Sequence, residues 1–251
     1  MATDTLASDF CVPIPHPTLK IALTPPRESD RDASVAGIND PAVYMNLNSP
    51  PYPYTDKDWA EWYAINGGAS DANLAELKAI HQEQPPSVVA SRDWSTRGWL
   101  GQRPWTSTIR DVVDGRFIGN ISMGRETFMY ILDPEERQRR KDENDKLQPG
   151  DPRILWMIGF WLVPEYHRRG IMPAALRTLL TDIAVPYMNA HTVHGGYFEN
   201  NLASGKVFEK TGFVFETFVP DVFTINPAKL NGVEGKKVGT GIMKWERHSA
   251  G

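Results

Sequence analysis

An apolar run from Leu155 to Val163, followed at once by a basic turn, is the segment that most constrains the fold of this chain. Nine residues without a charged side chain, stopped by Pro164, are typical of a strand buried on both faces. The turn at residues 167 to 170 carries two arginines and a glycine, and a helix is predicted directly after it. Because the first N–H groups of a helix have no partner within it, this arrangement predicts a phosphate-binding site.

The composition indicates a globular protein of one domain, or at most two. With 251 residues, 41% of them hydrophobic, the chain can bury a sizeable core. Its 31 acidic and 27 basic residues give a net charge of -4, which provides no general attraction to nucleic acid or to an anionic membrane. The single cysteine, Cys11, excludes an internal disulfide and a cysteine-based zinc site, as expected in a reducing compartment.

The sequence shows neither a membrane span nor a secretory signal. The longest apolar run, residues 154 to 163, is shorter than the roughly 20 residues that cross a bilayer. The N-terminus carries Asp4 and Asp9 where a signal peptide has a basic region. We therefore expect a cytoplasmic protein that binds neither membrane nor nucleic acid.

The early part of the chain predicts strands and helices in alternation. Residues 1 to 18 contain several prolines and are expected to form an extended arm, and Leu19 to Leu23 are expected to form an edge strand. One helix should be capped by Ser29 or Asp30, and a second should begin near Thr55. A proline-rich loop separates these two helices.

The rest of the chain completes an α/β pattern with a mixed sheet. Asp114-Gly115 predicts a hairpin of two antiparallel strands over residues 108 to 123. Residues 133 to 151 hold seven acidic and five basic side chains, which predicts a solvated insertion with partial helix. After the apolar run come a helix, a strand, a second helix and two final strands. We expect residues 19 to 247 to be a single domain.

Two motifs together resemble the GNAT family of acyl-CoA-dependent N-acetyltransferases, and most closely its RimJ/RimL-like branch. In the first, His167-Arg168-Arg169-Gly170-Ile171-Met172 stands where the family has Gln or Arg, two residues, Gly, one residue, and then Gly or Ala. In the second, Asn201-Leu202-Ala203-Ser204 and Lys210-Thr211-Gly212-Phe213 match the family's Asn-x-x-Ser and Lys-x-Gly-Phe. The likeness extends over about residues 19 to 247 and is specific over residues 155 to 216.

The resemblance implies a GNAT-type fold, in which a mixed, mostly antiparallel central sheet is flanked by helices and two central strands splay apart at the cofactor site. It implies acetyl-CoA as the co-substrate, no metal, and direct transfer of the acetyl group to a primary amine in a ternary complex, by a monomer or a homodimer. The pantetheine arm would pair with a strand edge and the pyrophosphate with the turn. The implied cofactor contacts are Leu162, Val163, His167, Arg168, Arg169, Gly170, Ile171, Met172, Asn201, Ser204, Phe208 and Lys210.

The chain departs from the family pattern at three positions. His167 and Met172 replace the usual residues at the two ends of the loop, although Gly170 still permits a close backbone approach. Phe208 stands where many members have a tyrosine acid, and a phenyl ring cannot donate a proton.

The catalytic candidates that remain lie in the second motif and the hairpin. Asn201 and Ser204 are expected at the reactive end, with Ser204 as the acid, and Glu126 is the first candidate for the base. Asn201 is also suited to capping a helix, and Ser204 to the first turn of one. Further candidates are His194 and Glu199 as bases, and Tyr197 and Tyr187 as acids.

The acceptor pocket is expected between the first two helices, the loop at residues 50 to 54, the stretch from Trp94 to Trp105 and the last hairpin. Its tyrosines and tryptophans favour an amine on an apolar body, so a peptide N-terminus, an amino sugar and a small metabolite amine all stay open. For the tryptophan stretch, we favour a role in covering an edge of the core over stacking on a ligand. Two other functions stay open: an acyl-CoA-binding module without catalysis, and a protein-interaction domain that uses residues 133 to 151.

Overall fold

The computed structural model describes residues 11 to 83 and 99 to 247. Its strands are β1 (Val12–Ile14), β2 (Ile21–Thr24), β3 (Thr108–Asp111), β4 (Phe117–Arg125), β5 (Leu155–Leu162), β6 (Thr192–Phe198), β7 (Val214–Thr224) and β8 (Lys237–Glu246). Its helices are α1 (Arg31–Ile38), α2 (Pro41–Tyr44), α3 (Asp56–Glu83), α4 (Pro134–Asp145), α5 (Ile171–Thr178) and α6 (Leu202–Glu209). α5 continues through a π-helical turn, Leu179–Ala184, into Val185–Met188.

The strands form one open sheet in the order β1-β2-β3-β4-β5-β6-β8-β7. Neighbouring strands are antiparallel except β5 and β6, which run parallel. A parallel pair needs a crossover connection, and α5 with its continuation provides it. The predicted α/β fold with a mixed, mostly antiparallel sheet and the predicted hairpin are confirmed.

The first strands differ from the prediction. β2 is not an edge strand, because β1 pairs with it on the outer side, with Val12 opposite Leu23. β1 comes from the segment that was expected to be a free arm. His16, two residues after β1, also contacts the body of the protein, since its Nε2 lies 2.8 Å from the backbone oxygen of Arg169. Residues 12 to 16 are therefore attached to the sheet and to the basic turn.

The two early helices form where they were predicted. α1 follows a 3-10 turn at Glu28–Asp30. α3 begins after Thr55, whose backbone N–H lies 2.8 Å from the carboxylate of Asp58. α3 continues over 28 residues to Glu83.

The charged segment at residues 133 to 151 is partly helical and mostly exposed, as the sequence predicts, and its C-terminal part is attached to the sheet. Asp133 caps α4 through the N–H groups of Glu135 and Glu136. Asn144 is buried, and its side chain bonds both the N–H and the carbonyl oxygen of Leu155, each at 2.9 Å. Arg125 at the end of β4 donates to the carbonyl oxygen of Asn144. The segment therefore fixes the start of β5.

The main core lies between the sheet and α5 with its continuation. Leu176, Leu179 and Ile183 are fully buried there, as are Trp156 and Ile121 of the central strands. This burial follows from the apolar spacing of three and four residues along the helix. None of the helices in the described parts of the chain is long and apolar enough to span a bilayer.

The opposite face of the sheet carries α1. Its N-terminal end is fixed by a buried ion pair, in which Asp30 and Arg110 of β3 contact each other at 2.9 Å through both carboxylate oxygens. Gly37 of α1 packs so closely on Trp161 of β5 that a Cβ there would lie 2.7 Å from the indole ring. The sheet therefore separates two layers, with α5 and α6 on one face and α1 on the other.

Candidate functional site

The central strands β5 and β6 part halfway along their length. Their pairing runs from Leu155 opposite Thr192 to Ile158 opposite Gly195 and stops there. β5 nevertheless continues to Leu162, fully paired with β4 on its other side. The second half of β5 therefore has an open edge inside the molecule. The predicted splay of two central strands is present at this point.

The register decides which backbone groups this edge offers. In an antiparallel pair, alternate residues direct their N–H and C=O groups to the partner strand, and the N–H of Val163 bonds the carbonyl oxygen of Ile118 at 2.9 Å. Phe160 and Leu162 therefore direct theirs toward the gap. The carbonyl oxygen of Leu162 is occupied by His167, whose Nε2 lies 2.9 Å away. Within the described parts of the chain, the backbone groups of Phe160 and the N–H of Leu162 face the gap without a partner.

Val163 was expected to contact the cofactor through its backbone, and the geometry does not support that expectation. Its N–H is paired with Ile118, and its carbonyl oxygen accepts the N–H of Tyr166 at 2.9 Å. Phe160, which the sequence analysis did not select, occupies the position with the correct backbone direction. A single sequence does not show which residues of β5 direct their backbone groups toward β4, because this depends on which residue of β4 lies opposite each of them.

The basic turn ends in a left-handed residue that opens α5. Gly170 has φ +77° and precedes the first helical residue, and a Cβ on it would meet no atom within 4 Å. No acceptor among the described residues takes the N–H groups of residues 168 to 172. The side chains of Arg168 and Arg169 are exposed beside them. Unpaired N–H groups with positive charge nearby form an anion-binding concavity.

Two of the loop residues that depart from the family pattern have structural positions. Met172 is 4% exposed and lies in the core with Ile171. The ring of His167 turns back onto the edge of β5, as its bond with Leu162 shows. Neither side chain interrupts the row of free N–H groups, so the exchanged residues leave the anion site intact.

The second motif forms the other wall of the gap. Asn201 caps α6, and its side chain accepts the N–H of Ser204 at 3.3 Å and donates to the Ser204 hydroxyl at 3.2 Å. Both residues therefore have the capping positions that were considered as alternatives to a reactive role. Phe208 is 1% exposed and packs on Phe160 at a ring distance of 5.1 Å. A Cβ on Gly195 would overlap its ring, so Phe208 fills the point where the strands part.

One cavity of about 1060 Å³ runs from the basic turn through the gap to the α1 face of the sheet. Two exposed lysines lie on its rim, Lys206 of α6 and Lys210 directly after this helix. All predicted cofactor contacts except Val163 line it, and so do the predicted catalytic residues Glu126, Asn201 and Ser204.

On the α1 face, the cavity ends at a cluster of buried polar side chains. Glu126 follows β4 and is 4% exposed, and His194 of β6 is 6% exposed. Glu126 Oε2 lies 3.2 Å from His194 Nδ1, and Glu216 of β7 approaches His194 Nε2 at 3.6 Å. Tyr130 places its ring edge-on to His194 at 6.2 Å. Burial, followed by the charges of Glu126 and Glu216, raises the pKa of Tyr130 well above its ordinary value.

Several predicted residues lie elsewhere. Tyr187 packs on Trp105 away from the cavity, and Glu199 is exposed beside β8. Trp105 is buried and Trp99 packs on Gly150, so both cover the core and do not line the cavity. Trp94 lies outside the described residues. Tyr197 does line the cavity, and its ring fits between Gly205 and Gly241.

The α1-side rim is formed by residues 42 to 50, which include α2 and part of the proline-rich loop. Lys229, from the connection between β7 and β8, holds this rim. It is 8% exposed, and its Nζ donates to the carbonyl oxygens of Tyr44 at 3.0 Å and Leu47 at 2.7 Å. Burial lowers the pKa of Lys229. Of the predicted pocket walls, the loop contributes Pro50 and the last hairpin contributes Phe223 and Ile242, whereas no described residue of α1 or α3 lines the cavity.

Comparison with known proteins identifies the family. The model of the acetyltransferase (GNAT) domain matches residues 20 to 214. A comparison with curated protein sequences finds no match. Among the described residues, no group of three or more His, Cys, Asp or Glu side chains has the arrangement of a metal site.

Solved acetyltransferases share the fold at low sequence identity. Mycobacterium smegmatis RimJ is 16% identical with a TM-score of 0.55, and 94% of this chain and 86% of that chain are covered. The ribosomal-protein-S5-alanine acetyltransferase from Vibrio fischeri is 15% identical, with a TM-score of 0.54 and coverages of 95% and 97%. Spermidine N-acetyltransferase from Vibrio cholerae, solved with CoA and spermine, is 15% identical, with a TM-score of 0.54 and coverages of 90% and 95%.

The family model spans more than half of the chain, including the splayed strand, the basic turn and α6. The chain therefore belongs to the GNAT family and is an acetyl-CoA-dependent N-acetyltransferase.

Proposed function

We propose that this enzyme transfers the acetyl group directly from acetyl-CoA to a primary amine while both substrates are bound. The observation that carries the proposal is the single cavity that passes through the sheet where β5 and β6 part. An acyl donor entering from the α5 side and an amine entering from the α1 side meet in this gap. Holding two reactants in contact accelerates their reaction by proximity, without a covalent enzyme intermediate.

The cofactor half of the cavity suits the successive parts of acetyl-CoA. The N–H groups of residues 168 to 172, with Arg168 and Arg169, would bind the pyrophosphate. The free backbone groups of Phe160 and Leu162 would pair with the amides of the pantetheine arm, as an added strand does. This arrangement directs the thioester toward Ile158 and Gly195, where the strands part.

At the reactive end, the side chains of α6 face the thioester. We place Asn201 and Ser204 there, with the Ser204 hydroxyl as the donor to the leaving sulfur, because it accepts from Asn201 and keeps its own proton for donation. Phe208 contributes packing and no proton. The polar cluster around Glu126 lies on the side from which the amine approaches.

For the acceptor, we propose a peptide N-terminus or a small-molecule amine. The neighbours of known fold include a ribosomal-protein acetyltransferase and a spermidine acetyltransferase, so the fold serves both classes. A free α-amine has a pKa of about 8 and a lysine side chain of about 10.4, so an α-amine requires less help from a base. The carboxylates of Glu126 and Glu216 on the α1 side of the cavity suit a cationic amine.

The test is the release of free thiol from acetyl-CoA with a panel of amines: peptides with different N-terminal residues, amino sugars, polyamines and small primary amines. The proposal predicts turnover with at least one of them and a ternary-complex kinetic pattern, in which both substrates must bind before any product leaves. Binding of CoA without thiol release for every class would indicate a non-catalytic module. Parallel-line kinetics would contradict direct transfer.

A further inference from the structure

His194 is a buried ionisable side chain on the amine side of the cavity, next to the equally enclosed Glu126. It is 6% exposed and lines the cavity one residue before Gly195, the last residue of β6 that pairs with β5. Successive residues of a strand face opposite sides of the sheet. Because Phe208 covers the α6 side of Gly195, the ring of His194 lies on the α1 side, next to the position of the reacting atoms.

Glu126 is held in a way that suits orientation and not proton transfer from the amine. Its Oε1 accepts the N–H groups of Thr127 and Phe128, both at 2.9 Å. These bonds close a tight turn in which Phe128 has a left-handed backbone with φ 55°. Its Oε2 faces His194 Nδ1 at 3.2 Å. Three donors therefore occupy a carboxylate that has about four acceptor positions.

This contact fixes the tautomer of His194. An ionised carboxylate only accepts hydrogen bonds, so the proton of a neutral imidazole resides on Nδ1 and Nε2 keeps its lone pair. Nε2 faces the carboxylate of Glu216 at 3.6 Å, beyond hydrogen-bonding distance. Glu216 belongs to β7, and 38% of its side chain is exposed. An ammonium group placed beside His194 Nε2 and the Glu216 carboxylate would donate a hydrogen bond to each of them.

Few other charges face the ring. Lys244 of β8 lies opposite His194 in the strand register, but its ammonium contacts Glu246 at 2.8 Å. Tyr130 stands edge-on to the ring, and its raised pKa keeps its hydroxyl protonated at neutral pH. Among the described residues, the charged and titratable neighbours of His194 are therefore two carboxylates, one neutral phenol, and Lys244, which pairs with Glu246 and also interacts with the charge of Glu216.

We propose that His194 is the general base of the acetyl transfer, that Glu126 positions it, and that Glu216 receives the acceptor ammonium. The inference rests on the proposed function. The ammonium gives one proton to Nε2 of His194, and the nitrogen lone pair forms the bond to the thioester carbon. The C–S bond then breaks with its electron pair on sulfur. The second nitrogen proton goes to the thiolate through the Ser204 hydroxyl, and the proton on His194 passes to solvent.

The test compares wild type with His194→Asn, using the best acceptor of the amine panel. Asparagine keeps a donor near the Nδ1 position for Glu126 and removes Nε2. We expect kcat/KM to fall about 10²- to 10⁴-fold, the usual contribution of a general base. Below the pKa of the amine, the wild-type rate should change less steeply with pH than the variant rate, because the enzyme with its base uses the ammonium form. The variant rate should rise about tenfold per pH unit up to the pKa of the amine, because only neutral amine then reacts.

Three further variants separate catalysis from structure. If His194→Asn does not fold, His194→Gln is used in its place. In Glu126→Gln, the amide can donate to Nδ1 of His194 and move the ring proton to Nε2. This variant should therefore show the pH profile expected for His194→Asn. His191→Gln is the matched control, since this histidine precedes β6 outside the cavity and should react like wild type. The Kd for CoA, measured by calorimetry, should be unchanged in all four variants.

Two results would overturn the inference: a wild-type rate in both His194 variants, or a uniform loss that leaves the wild-type pH profile unchanged, which indicates positioning alone. A wild-type enzyme that releases no thiol with any amine defeats the proposed function instead, so the two failures are distinguishable.

Discussion

The cofactor half of the cavity is lined mainly by backbone groups, whereas the amine half is lined mainly by side chains. The cofactor half presents backbone groups from one stretch of chain, residues 160 to 172, where the edge of β5 runs into the turn before α5. The amine half presents side chains from three separate segments, represented by Glu126, His194 and Glu216. A site made of backbone tolerates changes of side chain, and this explains why His167 and Met172 can replace the usual residues. A site made of side chains depends on each of them.

The largest effect is expected from breaking the buried ion pair that attaches α1 to the sheet on the amine side. Asp30→Ala leaves Arg110 buried without its partner, since both side chains are 4% exposed. We expect the free energy of unfolding to fall by about 3–5 kcal/mol in denaturant titrations. The control is Lys141→Ala, which removes an exposed pair with Asp145 and should cost less than about 0.5 kcal/mol. Equal losses in both variants would show that burial of the pair has no special role.

A second test on the amine side concerns Lys229. Lys229→Met removes the two bonds to the carbonyl oxygens of Tyr44 and Leu47, and we expect a loss of about 1–3 kcal/mol in unfolding free energy. Because these bonds hold the rim, the KM for the amine should rise while the Kd for CoA stays constant. An equal change in both constants would show that the rim and the cofactor half are coupled.

The difference in unfolding free energy between wild type and Lys229→Met should depend on pH in a predictable direction. Burial lowers the folded-state pKa of Lys229, so between that value and about 10.4 the unfolded chain binds more protons than the folded one. Stability contributed by this group therefore rises with pH in that window. The stability difference between wild type and Lys229→Met should increase toward pH 10, and a difference that shrinks would contradict the assignment.

On the cofactor side, charge in the turn should matter more than size. Gly170→Asp should weaken CoA binding more than tenfold in calorimetry, because a carboxylate would stand against the phosphates. Gly170→Asn is the matched control, since asparagine has the same shape and tolerates the left-handed backbone, and we expect less than about a threefold change. Equal effects of Asp and Asn would show that the turn does not bind phosphate.

The smallest effect concerns His16. Its Nδ1 accepts the N–H groups of Thr18 and Leu19, so its Nε2 carries the proton and donates to the carbonyl oxygen of Arg169. His16→Ala removes this support of the turn and should weaken CoA binding about two- to fivefold, the value of one hydrogen bond. Calorimetry is again the measurement. An affinity equal to that of wild type would show that the turn keeps its shape without the N-terminal segment.

The sequence predicted the elements whose signals are local. β5, the hairpin around Asp114-Gly115 and α5 follow from apolar runs, turn residues and helical spacing, and the turn at Gly170 follows from its resemblance to a family motif. Capping by Asn201 was also among the alternatives that the sequence offered. These predictions depend on neighbours along the chain, which a single sequence displays.

The parts that failed depend on distant pairing. The backbone of Phe160 faces the gap and that of Val163 does not, because of the register in which β5 pairs with β4. A shift of this register by one residue would reverse the two directions. Glu216 joins His194 because β8 lies between β6 and β7 in the sheet. Tyr130 reaches the same cluster through the turn that Glu126 closes. No spacing in the sequence signals these contacts.

The open edge of β5 has a consequence for precision rather than affinity. Without the cofactor, water can bond the free groups of Phe160 and Leu162, so pairing them with pantetheine exchanges one set of hydrogen bonds for another and gains about 1 kcal/mol each. The edge instead fixes the register of the pantetheine arm, because backbone groups that face the gap recur only every two residues along β5. A slip along it would displace the thioester by about 6.6 Å, far from His194. In the proposed complex, the half-length pairing of β5 and β6 would thus determine the position of the carbonyl carbon.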